Sequence, residues 1–206
     1  MQTIPVSPQT KRQGGYTIIE LSIALTIIAV LIVAGLAGVT RVLNSSKANA
    51  QIEDSGIVLA KLQSALTSSN VSGMTTAAAV GSSFFPTSRV NGTVVTNKFG
   101  GGEFLASNAD LAAGTGVVAG PNVGAIYTIT GVPRAVCADI ASSLANLSNA
   151  AWIHTTAKAE GTAGASEGLV ANTSQIKAPG GVVNAVRVGT QCNSGDPVNL
   201  AFFLRP

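Results

Sequence analysis

From Gly14 to Thr40 the chain reads GGYTIIELSIALTIIAVLIVAGLAGVT: a pair of glycines, an aromatic residue, one acid, then an apolar run. Leu21 to Thr40 is twenty residues without a charge. At 1.5 Å per residue a helix of that length spans about 30 Å, the thickness of a bilayer core, so one membrane span is the default reading. Before it stands the leader MQTIPVSPQTKRQGG, residues 1–15, which carries Lys11 and Arg12 but no apolar run. An ordinary secretory signal runs from charge through an apolar region to small residues at the cut. Here charge and small residues both precede the apolar region. The positive-inside bias puts the leader in the cytoplasm and everything beyond Thr40 outside. On these facts alone an uncleaved anchor with a cytoplasmic stub remains a competing reading.

Glu20 changes the balance. An unpaired carboxylate in a membrane helix costs roughly 3 kcal/mol on insertion scales, and such a residue implies a function and a partner. Were the chain cut after Gly15, Tyr16 would present a new amine with a reference pKa of about 8, cationic at neutral pH. Packed helices in an assembly could then pair Glu20 with the amine of a neighbouring copy. The plainer alternative is that Glu20 reaches the interface from the first turn, where the helix dipole favours an acid.

These residues resemble a family. Gly14-Gly15-Tyr16-Thr17-Ile18-Ile19-Glu20-Leu21 and the apolar run after it are similar to the class III signal of type IV pilins and pseudopilins. The resemblance implies that a prepilin peptidase cuts after Gly15 and methylates the amine of Tyr16, and that Glu20 registers one subunit against the next in assembly. Glycine at the cut suits close approach of the backbone to an active site, having no Cβ. Tyr16 departs from the Phe or Met usual at its position but keeps an aromatic ring.

The whole composition agrees with a globular chain behind an anchor. The protein has 206 residues, with Lys+Arg 12 against Asp+Glu 9 and a formal charge of +3. Two of those bases lie in the leader, so the remainder is nearly balanced and no nucleic acid is predicted as a partner. At 46% apolar and 10% charged the chain has ample material for a core and is not of the disordered type. After Arg41 the pattern becomes amphipathic: Ile52, Leu59, Leu62 and Leu66 recur at helical spacing among Lys47, Glu53, Asp54 and Lys61. With no Pro from Tyr16 to Phe85, a single helix from about Tyr16 to Thr67 is expected, ended by Ser68, Ser69, Asn70 and Gly73. Gly35 and Gly38 weaken its interior by up to about 1 kcal/mol each.

Beyond it the spacing predicts strands at Ala125 to Thr130, Val182 to Val188 and Val198 to Leu204, a hairpin turn at Asn91-Gly92, and a helix over Pro133 to Leu147. Thr75 to Ser83 and Thr156 to Ser174 read as surface loops. Helix plus antiparallel strands makes the fold class α+β. Cys137 and Cys192 both lie outside by the orientation argument, where disulfides persist. A bridge between them would close a loop of about 55 residues and add roughly 4 kcal/mol; two separate buried thiols are the alternative. With two Cys and one His in the chain, neither a metal nor any other cofactor is expected.

The resemblance extends into this region. Asn97-Lys98-Phe99-Gly100-Gly101 is similar to the Asn-Pro-Phe-Gly-Gly segment of type IVb pilins, with Lys98 in place of the Pro. Val132-Pro133-Arg134-Ala135-Val136-Cys137 resembles the start of their disulfide-bearing helix. The fifteen-residue leader also looks like that branch, which includes bundle-forming, toxin-coregulated and conjugative thin pili. It implies a type IV pilin fold, a long N-terminal helix packed on an antiparallel β-sheet head domain. The implied segments are a cleaved leader at 1–15, a helix at 16–69 whose 16–40 half is membrane or filament core and whose 41–69 half is amphipathic, and a head at 70–206.

No catalytic centre competes. His154, in AAWIHTT, lacks a declared nucleophile and orienter and reads as a strand residue near the surface. Phe99-Gly100-Gly101-Gly102-Glu103 lacks the ending and context of a phosphate loop and reads as a turn before a strand. The chain is therefore expected not to be an enzyme but the major pilin of a type IVb pilus. Its expected partners are copies of itself in a helical filament, the prepilin peptidase, the assembly ATPase and its inner-membrane platform. It would wait in the inner membrane of a Gram-negative bacterium and end in an extracellular filament. The alternatives are a minor pilin or secretion pseudopilin, or an uncleaved single-pass binding or sensor module.

Overall fold

The structure, a computed structural model, describes residues 15–68, 71–107, 124–155 and 173–206. The chain divides into two compact units, Met1–Val42 and Leu43–Pro206. Helix α1, Ile18–Ser68, runs for 51 residues, close to the extent expected from its patterning. In the first unit every large apolar side chain of α1 is at least half exposed, from Ile18 at 88% to Ile28 at 50%. The helix is long and apolar enough to cross a membrane. Its hydroxyls turn back on its own backbone: Ser22 Oγ donates to Ile19 O at 2.8 Å and Thr26 Oγ1 to Ser22 O at 2.8 Å. Polar side chains can thus sit in apolar surroundings without losing hydrogen bonds.

In the second unit the amphipathic pattern of α1 is used in full. Ala48, Val58, Leu59, Leu62 and Leu66 are buried against a five-stranded sheet of order β3-β4-β7-β5-β6. These strands are β3 (Glu103–Ser107), β4 (Ala125–Val132), β5 (Ala150–His154), β6 (Gln175–Lys177) and β7 (Val198–Leu204). All neighbours pair antiparallel. The small hairpin of β1 (Val90–Asn91) and β2 (Val94–Val95) forms a separate two-stranded sheet whose Val95 packs into the main core. Gly92 at its turn has φ +64, the left-handed conformation that the Asn-Gly signal predicts.

Alternation along the strands sorts residues between two buried faces. Tyr127, Ile129, Leu200, Phe202 and Ile153 share one cluster with α1 and with α3 (Arg134–Asn146). Ile126, Trp152, Ala201 and Phe203 form a second cluster. Since β7 lies between β4 and β5 with both faces buried, its sequence VNLAFFL is nearly all apolar.

Three expectations need correction. Thr75 to Ser83 is not a loop: Thr76–Gly81 forms helix α2, capped by the Thr75 hydroxyl accepting from Ala78 N at 3.3 Å. Three consecutive alanines supply helix propensity where a count of Thr, Ser and Gly suggests irregular chain. Val182 to Val188 is not a strand. Asn184 caps helix α4 (Ala185–Cys192), accepting from Arg187 N at 3.0 Å through Oδ1, and this local cap prevails over the β-branched composition. His154 is buried, not near the surface, because β5 has a strand on either side and both its faces are covered. Of the second loop expected, Thr156 to Ser174, all but Thr173 and Ser174 lies outside the described residues.

Candidate functional site

At the N-terminus Gly15, Tyr16 and Thr17 precede the helix. Leu21 N donates to Thr17 O at 3.1 Å and Glu20 N donates to Thr17 Oγ1 at 3.2 Å. Thr17 is thus the N-cap and Glu20 the third helical residue, the Thr-x-x-Glu spacing of a capping box. Tyr16 is 83% exposed, Glu20 is exposed, and nothing stands within 4 Å of a Cβ placed on Gly15. The acid therefore sits in the first turn, where the helix dipole favours it. The cap was readable in the sequence but was not singled out there. Gly14, Lys11 and Arg12 lie outside the described residues.

The two cysteines are joined. Cys137 on α3 and Cys192 at the end of α4 form a disulfide with Cα atoms 5.7 Å apart and a sequence separation of 55. Both are buried in the main core. At the other end of α3, Lys177 Nζ donates to Ala145 O at 2.9 Å and to Ser148 O at 2.6 Å, closing the C-terminal end of the helix with a cation. Partial burial lowers the pKa of that ammonium.

The Asn97 to Gly101 motif is a staple between loop and sheet. Asn97 Oδ1 accepts from Phe99 N at 2.9 Å and Gly101 N at 3.0 Å, while Nδ2 donates to Thr130 O on β4 at 2.6 Å. Gly101 is required by contact: a Cβ there would lie 1.9 Å from Thr130 O. Lys98 uses what proline lacks. Its backbone N–H donates to Gln51 Oε1 at 3.0 Å, and its ammonium lies 3.2 Å from Asp54 Oδ2.

Behind this loop is a buried polar cluster that the sequence did not announce. Glu103 on β3 accepts from Gln51 Nε2 at 2.8 Å, from Tyr127 OH at 2.7 Å and from Arg89 Nη1. Ser55 Oγ accepts from Gln51 Nε2 at 2.7 Å and shares a hydrogen bond of 3.0 Å with Tyr127 OH. Arg89 Nη1 also donates to Gln51 Oε1 at 3.2 Å, and its Nε faces Asp54 Oδ2 at 3.5 Å. Burial pushes the Glu103 carboxyl above its ordinary value, against the opposing pull of Arg89, Tyr127 and Gln51. Burial also holds the Tyr127 hydroxyl well above its usual range, and the neighbouring carboxylate adds to this. The cluster joins α1, the Arg89 turn, β3 and β4 across 76 residues of sequence, from Gln51 to Tyr127. No local pattern signals it. Among the described residues there is no group of three or more His, Cys, Asp or Glu placed to hold a metal.

Residues 10–36 match the prokaryotic N-terminal methylation motif. No curated protein matches the chain significantly. Among solved structures, a type IVb pilin from Salmonella typhi is similar with TM-score 0.51 at 15% identity, over 77% of this chain and 99% of that one. TcpA, a type IV pilin from the El Tor biotype of Vibrio cholerae, aligns with TM-score 0.46 at 17% identity, over 78% of this chain and 98% of that one. The fold, a long N-terminal helix and an antiparallel sheet head, is the type IV pilin fold. The chain thus combines the prokaryotic N-terminal methylation motif with a fold similar to that of a type IVb pilin.

Proposed function

We propose that the chain is the major structural subunit of a type IVb pilus. In this reading a prepilin peptidase cuts after Gly15 and methylates Tyr16. Segment 16–40 holds the subunit in the inner membrane of a Gram-negative bacterium, and the assembly ATPase and inner-membrane platform then polymerise it into a surface filament. The work is assembly and not catalysis. One observation carries the reading: the methylation motif is continuous with a helix whose apolar side chains are exposed throughout the first unit. A surface of that size and apolarity needs lipid or other copies to cover it.

Glu20 has a defined part in this scheme. In the membrane its carboxylate lies near the interface; in the filament it accepts the Tyr16 amine of an adjacent copy. The test is intact-mass measurement of protein from native membranes and from sheared filaments. Both are expected to lack residues 1–15, and the chain should be the dominant species in the filament fraction. Full-length protein still beginning at Met1 would refute processing, and trace abundance in filaments would make the chain a minor subunit.

A further inference from the structure

We infer that the cluster around Glu103 is an acid-sensitive latch, which ties segment 87–98 to the sheet through Arg89 and frees it from the sheet, leaving Arg89 to Asp54 on α1, when Glu103 takes up a proton. This goes beyond the filament reading and does not depend on it. The groups that face Glu103 are Gln51 from α1, Arg89 from the 3-10 turn Thr87–Arg89, and Tyr127 from β4, with Ser55 of α1 bonded to Gln51 and Tyr127 behind them. Asp54 and Lys98 stand behind Arg89. The three donors aimed at the two carboxylate oxygens suit the ionised acid. A proton on Glu103 removes the charge that Arg89 answers and sets an O–H against one of those donors.

Two different parts of the fold control Glu103. Its desolvation comes from α1 and the sheet, since β3 is held in register by β4, with Glu103 opposite Ile129, and the carboxyl lies under Gln51 and beside Tyr127. Its counter-charge comes from Arg89 alone, on the separate segment. When Arg89 withdraws, Glu103 remains buried and loses the cation beside it, the only one among the described residues, so its proton affinity is higher in the open state than in the closed one. Linkage then requires acid to favour opening. Arg89 has somewhere to go: Asp54 already faces its Nε, with a side chain 22% accessible against 0% for Glu103. One arginine shared by a buried and a partly exposed acid gives the element two arrangements.

The same reasoning separates latch opening from acid unfolding. In the unfolded chain Glu103 returns to the ordinary carboxylate value, below its folded value. Folding therefore takes up a proton in the window between the two, and acidification through that window does not weaken the fold as a whole.

Hydrogen–deuterium exchange of the full-length chain in detergent micelles, corrected for intrinsic rates, tests this between about pH 7.5 and about pH 5. Amides of 87–98 are expected to lose protection by about tenfold or more on acidification, while those of β4 and β7 keep theirs. Glu103→Gln, which mimics the protonated acid, should show the loosened segment at both pH values with no step. Asp54→Asn removes the outer acceptor of Arg89 and a neighbouring negative charge, so its step should move to lower pH. Should Glu103→Gln not fold, the wild-type step and its displacement in Asp54→Asn decide the matter. Protection of 87–98 unchanged across the range, an equal loss in β4 and β7, a step that persists in Glu103→Gln, or a step unmoved in Asp54→Asn would each overturn the latch.

Discussion

At Gly101 the backbone of the loop runs so close to β4 that no side chain fits. Gly101→Ala must displace Thr130 or break the Asn97 staple, and a cost of about 2 to 4 kcal/mol is expected, read as a lowered urea midpoint with unchanged slope. The same substitution at Gly56, where nothing stands within 4 Å of a new Cβ, lies in α1 and should be neutral or slightly stabilising. Under the proposed function Glu20 is the opposite case, a residue whose main worth lies outside its own fold. Glu20→Val leaves the Gly15 cut site untouched and removes a charge from an apolar segment, so insertion and processing should be normal or improved. On the proposed function filaments should nevertheless be lost, because the acid proposed to accept the Tyr16 amine is gone. Electron microscopy of sheared material beside immunoblots of membranes reads both effects; abundant normal filaments would show that Glu20 only caps its helix.

Elements with a long apolar or periodic pattern were legible, and short helices set by a single capping side chain were not. Strand β7 was bounded from its apolar run, and α3 from Pro133 and the stripe Val136, Ile140 and Leu144, because burial and periodicity act through neighbouring residues. Helix α4 was missed since Val182 to Val188 satisfies strand statistics, and only the Asn184 cap and the burial of Val188 against an exposed Val186 reveal the helical turn. Helix α2 was missed because six residues are too short for a periodic pattern. The Asn97 to Gly101 segment was visible as a motif, but its physical reason, the approach of Thr130, needed the fold. The bridge between α3 and α4 has a measurable worth. Cys137→Ser is expected to destabilise the head by roughly 4 kcal/mol in the chain-entropy model. At 2 to 4 °C per kcal/mol this lowers Tm by roughly 8 to 16 °C. Two free thiols titrated in native non-reduced protein would show that the bridge does not form.

At the scale of the whole molecule there are two units, one an exposed apolar helical segment and the other a head with its own core. The second unit, Leu43–Pro206, contains the sheet, the disulfide and the polar cluster. A chain beginning at Leu43 is therefore expected to be soluble without detergent and to unfold in one cooperative transition, whereas the intact chain should need detergent for extraction. Aggregation of the shortened chain on purification would show that the first 42 residues complete the core. The Glu103 cluster was the least legible feature of all, since its members come from four separate elements and each alone reads as an ordinary surface polar residue. The order of the strands carries one more consequence, for biogenesis. Strand β7 lies between β4 and β5 yet follows both in the chain. As the polypeptide emerges from its N-terminus, β3 with β4 and β5 with β6 can form two separate antiparallel pairs, each left with an open edge until β7 arrives to join them. Cys192 likewise emerges after Cys137, so neither the sheet nor its covalent tie can close early. The nascent head spends its synthesis as two unsealed halves, and that interval is when a chaperone or a rival strand would find it.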